Sequence, residues 1–160
     1  RTNTMGKLSN QSAANGWTHE RVFTFDDFSV ANAGTLADGV VLTFSHAVTA
    51  GSQVRNVGIF LNTAFNDSGG GDQMDCIVGV QGGDVDGFIT QASAILHADE
   101  TEITYIANTG ALLDNENGHV FVADGAIDIT FDTDLATGTP YSLNELTAGK
   151  ITIKFDIAQI

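Results

Sequence analysis

The sequence predicts an all-β fold, an antiparallel β-sandwich of the jelly-roll kind with an extended N-terminal arm, and three observations carry that expectation. Short runs rich in Val, Ile, Phe and Thr recur along the chain, separated by Gly, Asp, Asn and Ser. Eighteen glycines against a single proline suit a chain of tight turns and bulges, which need residues that tolerate positive φ. Helical periodicity is nearly absent. The 160 residues, 42% hydrophobic and 16% charged, suffice for one domain with a real core, since a domain of this size buries roughly 70% of the surface its unfolded chain exposes.

Residues 1–20 are polar and rich in Asn, Ser and Gln, with Met5, Leu8 and Trp17 as their only large apolar side chains. This stretch reads as an arm, and residues 21–160 as a single β-sandwich domain. A polar terminal segment frays unless something ties it down. Large apolar and aromatic side chains dominate interface energetics, so Met5, Leu8 and Trp17 are the expected anchors of the arm on a neighbouring surface; its own domain is the other available clamp.

The strand series opens with the run 22–25 and continues at 40–44. In the longest run, 54–65, Val57, Ile59 and Leu61 fall on one face and Asn56, Gly58, Phe60 and Asn62 on the other. Residues 76–80 read as a central strand, small or apolar on both faces. Further strands are expected at 103–106, 119–122 and 127–131, the last two joined as a hairpin through Ala-Asp-Gly-Ala. The terminal run 151–157 alternates cleanly, Ile151, Ile153, Phe155 and Ile157 inward and Thr152, Lys154 and Asp156 outward. Residues 90–97 are the one candidate for a short helix. No fixed-period repeat is present, which argues against a solenoid or propeller.

Twenty Asp and Glu stand against six Lys and Arg, a formal net charge of -14. Such a surface repels phosphate backbones, so no nucleic-acid partner is expected. No stretch approaches the roughly 18 apolar residues of a membrane span, and no membrane partner is expected either. Cys76, the single cysteine, sits in an apolar run and reads as a small buried side chain.

Few residues point to chemistry. His19, His46, His97 and His119 show no metal-ligand spacing and read as solvated loop histidines. No Gly-x-Ser-x-Gly elbow is present, and Ser45 and His46, adjacent on a strand, point to opposite faces. Gly69-Gly70-Gly71 lacks the Lys and helix of a phosphate loop and reads as a flexible loop tip. Asp26-Asp27, Asp132/Asp134 and Asp99-Glu100 are possible carboxylate pairs, without the aromatic platforms common in carbohydrate-processing sites. Neither an enzyme nor a cofactor is expected. The loop 82–87 begins like an oxygen-ligand calcium loop, which makes Asp84 and Asp86 weak calcium candidates, but the remaining ligands are missing and a Gly/Asp turn explains it without metal.

Asn62-Thr63-Ala64-Phe65-Asn66, the strand Ile77-Val78-Gly79-Val80, the turn Gly83-Asp84-Val85-Asp86-Gly87-Phe88 and the closing Leu146-Thr147-Ala148-Gly149-Lys150-Ile151-Thr152-Ile153 together resemble small β-rich phage virion proteins of the capsid cement or decoration type. The resemblance covers the region from Val54 to Ile160. It implies a jelly-roll-like subunit on the outer capsid surface of the virion, bound to the major capsid protein and forming a homotrimer. Two other functions fit the residues. One is a phage tail, fibre or adhesin-type module binding glycans, with Tyr105, Tyr141 and Trp17 as its stacking groups; the other is a calcium-dependent secreted β-sandwich domain.

Overall fold

The computed structural model describes residues 6–7, 16–71, 73–90, 96–98, 104–114, 117–133 and 139–160. Within them run the strands β1 (Gly6–Lys7), β2 (His19–Thr24), β3 (Leu42–Val48), β4 (Ser52–Asp67), β5 (Asp75–Val80), β6 (Tyr105–Ala107), β7 (His119–Val120), β8 (Gly125–Asp132) and β9 (Leu146–Gln159). They form two antiparallel sheets. The larger has the order β1-β2-β9-β4-β6, with β7 also pairing β4, and the smaller the order β3-β8-β5. The two pack as a β-sandwich.

Phenylalanines hold the sheets together. Phe23 of β2 meets Phe44 of β3 at 4.8 Å and Phe131 of β8 at 4.9 Å between ring centroids. Phe28, from the 3-10 turn Phe25–Phe28, wedges between the layers, 4.9 Å from Phe131 and 6.0 Å from Phe65 of β4. Most of these rings meet edge to face, an arrangement worth roughly 0.5–1.5 kcal/mol per pair beyond the area buried. Ile151, Ile153 and Phe155 of β9 are fully buried beneath them, as the alternation requires.

β4 keeps the expected phase at Val57, Ile59 and Leu61, the first two fully buried and the third packed at the core margin. Before them the register shifts between Val54 and Asn56. This bulge lets Val54 and Val57, three residues apart, both face inward and turns Arg55 out to solvent.

Several expectations need correction. Residues 119–122 and 127–131 are not a hairpin: β7 pairs β4 in the large sheet, whereas β8 lies between β3 and β5 in the small one. The turn after buried Phe121 carries the chain across the core from one layer to the other, with Val122 fully out in solvent. β5 is not central either: among the described residues its side away from β8 meets no further strand, but the Val78–Ile89 bridge and, through Val80 N–H, the Asp84 carbonyl. Cys76 on this strand is fully buried, and burial together with Asp75 pushes its thiol pKa well up. Of the expected helix at 90–97, residues 91–95 lie outside the described residues. At its end the Leu96 N–H donates to Met74 O (2.9 Å) and the Phe65 N–H to Leu96 O (2.9 Å), an extended arrangement.

Candidate functional site

On the outer face of the large sheet, Lys154, Gly58 and Ala107 lie side by side across β9, β4 and β6, and Thr152, Phe60 and Tyr105 form the next row. The missing side chain at Gly58 leaves a shallow seat, and Trp17 fills it. A Cβ there would fall 2.8 Å from the indole Cη2 and 3.2 Å from Tyr105 Cε2, so glycine is required by close approach. Trp17 stands edge-on to Phe60 at 6.1 Å, Phe60 lies 4.6 Å from Tyr105, and Lys154 Nζ sits 5.1 Å from the Phe60 ring centre. Tyr105 is 50% exposed.

Thr18 fixes the indole in place. Its N–H donates to Phe155 O (2.8 Å), its hydroxyl donates to Ile157 O (3.2 Å), and that hydroxyl accepts from the Ile157 N–H (2.8 Å). Of the expected arm anchors, Trp17 therefore packs on its own domain, while Met5 and Leu8 lie outside the described residues. Within the arm Gly6 pairs Glu20 and Lys7 pairs His19, which adds β1 to the edge of the large sheet. Asp156 and Thr152, outward on β9, are only 6% and 9% exposed. Asp156 accepts from Arg55 (2.7 Å), and the Thr152 hydroxyl donates to Asn62 (2.8 Å).

The outer face of the small sheet has a different chemistry. Thr43 and Thr130 hydroxyls meet at 2.8 Å, Ser45 donates to Asp128, and Gln81 donates to Ser45 (3.1 Å). No Lys or Arg occurs in β3, β5 or β8. Ser45 and His46 do point to opposite faces, Ser45 to this surface and His46 toward Arg21 inside.

The histidines are not solvated loop residues. His19, His46 and His119 are strand residues, and His97 is completely buried, its Nε2 3.2 Å from Asp67 Oδ1 and its ring 5.8 Å from Tyr141. Burial pushes the Asp67 carboxyl up, but the backbone N–H groups of Gly71 (3.0 Å) and Gly69 (2.7 Å), with His97, outweigh it and hold it below the ordinary value. The glycine triplet is thus a clamped turn, Gly71 buried against Tyr141, not a flexible tip. Nothing in the local sequence marks this pair, because its members are thirty residues apart.

At the β2–β3 edge, Arg21 is buried with its guanidinium 4.4 Å from the Phe23 ring centre and 4.8 Å from that of Phe44. Burial lowers its pKa to about 10 against the opposing pull of Asp27. His46 Nδ1 lies 3.4 Å from Arg21 Nη1, and burial followed by the Arg21 charge lowers the His46 pKa to about 4. His119 lies against Phe88 and Phe121; burial lowers its pKa, with Asp84 opposing.

The remaining candidates fall into turns. Asp84 is exposed, and its backbone carbonyl accepts from Val80 N (2.8 Å) and Gly87 N (3.2 Å), the Gly/Asp turn weighed against a calcium loop. Among the described residues no three His, Cys, Asp or Glu side chains converge as a metal site, so Asp84 and Asp86 have no third such partner there. Asp27 is buried and accepts from the Thr24 N–H (2.7 Å), a local cap. Asp99, Glu100 and Asp134 lie outside the described residues. Tyr141, 3% exposed, belongs to the core and cannot stack on a ligand. No protein-family model matches this chain, and no curated protein and no solved structure shows significant similarity to it.

Proposed function

We propose that this chain is a structural virion protein, a capsid cement or decoration protein that binds the outer surface of a phage head as a homotrimer and contributes adhesion rather than chemistry. The observation that carries the reading is the Trp17–Phe60–Tyr105 cluster on the outer face of the large sheet, with Tyr105 half exposed. Clustered aromatic side chains of this kind anchor protein interfaces. On a capsid lattice many weak contacts are strengthened by high effective concentration.

The strand order supports the finer description of the fold as a jelly roll. If β2, β3, β4, β5, the bridge at Ile89, β6, β8 and β9 are counted as eight successive strands, the sheets run 1-8-3-6 and 2-7-4-5. With β1 and β7 left aside and the fifth strand reduced to a single bridge, this order is the one a jelly roll would give, which supports that reading. The resemblance of the region from Val54 to Ile160 to small phage virion proteins points the same way. Purified particles that contain this chain should carry it at fixed copy number on the head exterior when viewed by electron cryo-microscopy. Density confined to the tail, or particles that lack the chain, would refute the assignment.

A second reading is favoured by one observation, the adjacency of Trp17 and Tyr105 across Gly58. Paired aromatic faces also suit a tail or fibre module that stacks sugar rings. A glycan array with hits that disappear in Tyr105→Ala selects it.

A further inference from the structure

We infer that copies of this chain associate head to tail, the outer face of the large sheet of one copy seating on the outer face of the small sheet of the next. This goes beyond the proposed homotrimer to a second mode of self-association, and it does not depend on where in a virion the protein sits.

Charge is the first argument. Of six Lys and Arg in a chain of formal charge -14, Arg55, Lys150 and Lys154 all stand on the large sheet's outer face. Asp156 there is already taken by Arg55, and Glu20 lies opposite Lys154. The small sheet carries Asp128 near the middle of its outer face, Asp132 further along β8, and no cation. With Arg55 and Lys154 each set against a carboxylate, these residues still leave the large sheet's outer face with an excess positive charge, which is complementary to the acidic face of another copy. The overall like charge of two copies suppresses every other juxtaposition, so charge selects the register as well as the face.

Shape is the second. Tyr105, half exposed, stands beside Trp17 on the large sheet, whereas β3 and β8 of the small sheet present Thr43, Ser45, Ala47 and Thr130, short side chains bordered on the β5 side by the Asp84–Val85 turn that lies over Gly79. Aromatic anchors need such a receiving surface. Because the two faces are different patches on opposite sides of the sandwich, the contact is heterologous, and its repetition stacks copies in a row.

Sedimentation velocity on the full chain tests this, with circular dichroism confirming the fold of each variant. The wild type should sediment as an oligomer that dissociates as salt is raised. Lys150→Glu with Lys154→Glu, and separately Asp128→Lys, should each weaken association by at least about tenfold, and the triple charge exchange should recover it. A monomeric wild type overturns the inference, and if that monomer still decorates particles the virion reading survives. An oligomer indifferent to all three substitutions overturns the face assignment alone, as does failure of the triple exchange to recover association.

Discussion

Two polar pairs are built into the sandwich, and they are opposites. At the end of β4, Asp67 and His97 are complementary: the carboxylate accepts from the imidazole and from two backbone N–H groups, so the acidic group leaves water already matched. At the β2–β3 edge, Arg21 and His46 are both bases, and the guanidinium is accommodated by the faces of Phe23 and Phe44. There His46 is driven neutral. Burial of a polar group is tolerated in either design, but only in the first are the two paired groups an acid and a base.

The largest effect is expected from breaking the complementary pair. Asp67→Ala leaves His97 buried without its acceptor and two backbone N–H groups without theirs, and chemical denaturation should show a loss of about 3–5 kcal/mol. A loss under about 1 kcal/mol would mean that the turn repacks freely.

The opposed pair should respond to acid. The unfolded chain takes up the His46 proton near pH 6.5, whereas the folded chain resists it until about pH 4. Between those values the unfolded state binds more protons, so stability falls as pH is lowered through that window. Denaturation midpoints measured from pH 7 to pH 4 check this, and His46→Phe should flatten the dependence.

A smaller change is expected when the cation itself is replaced. Arg21→Met substitutes an apolar side chain of similar length but leaves buried Asp27 without the charge that attracts it, and should cost about 1–3 kcal/mol. The His46 titration, followed by NMR, should then move upward, because one of the two causes of its depression is gone. The smallest effect belongs outside both sites: Arg55→Ala removes an ion pair whose cation is exposed but whose carboxylate, Asp156, is buried, and should cost about 0.5–1 kcal/mol.

Legibility in the sequence followed the range of the interaction. The alternation of β9 and the Val57–Ile59–Leu61 face of β4 are period-2 patterns, and a strand with one buried face must show them. The mistaken hairpin before β8 has an equally physical cause, since Ala-Asp-Gly-Ala signals a turn whether the chain doubles back or crosses to the opposite layer. Gly58 gave no local hint that it seats Trp17, forty-one residues away. The burial of His97 depends on Asp67 in the same manner. Trp17 and Tyr105 were legible as surface aromatics by residue type, but their meeting over one glycine is a property of the register between β4 and β6.

β2 and β9 are antiparallel neighbours in which His19 lies opposite Phe155. A pull applied to those two residues would therefore peel the strands apart one hydrogen bond at a time, not shear the whole ladder at once. Such a molecule opens readily when drawn out by those two strands, whereas compression through the sheets does not act on that zipper.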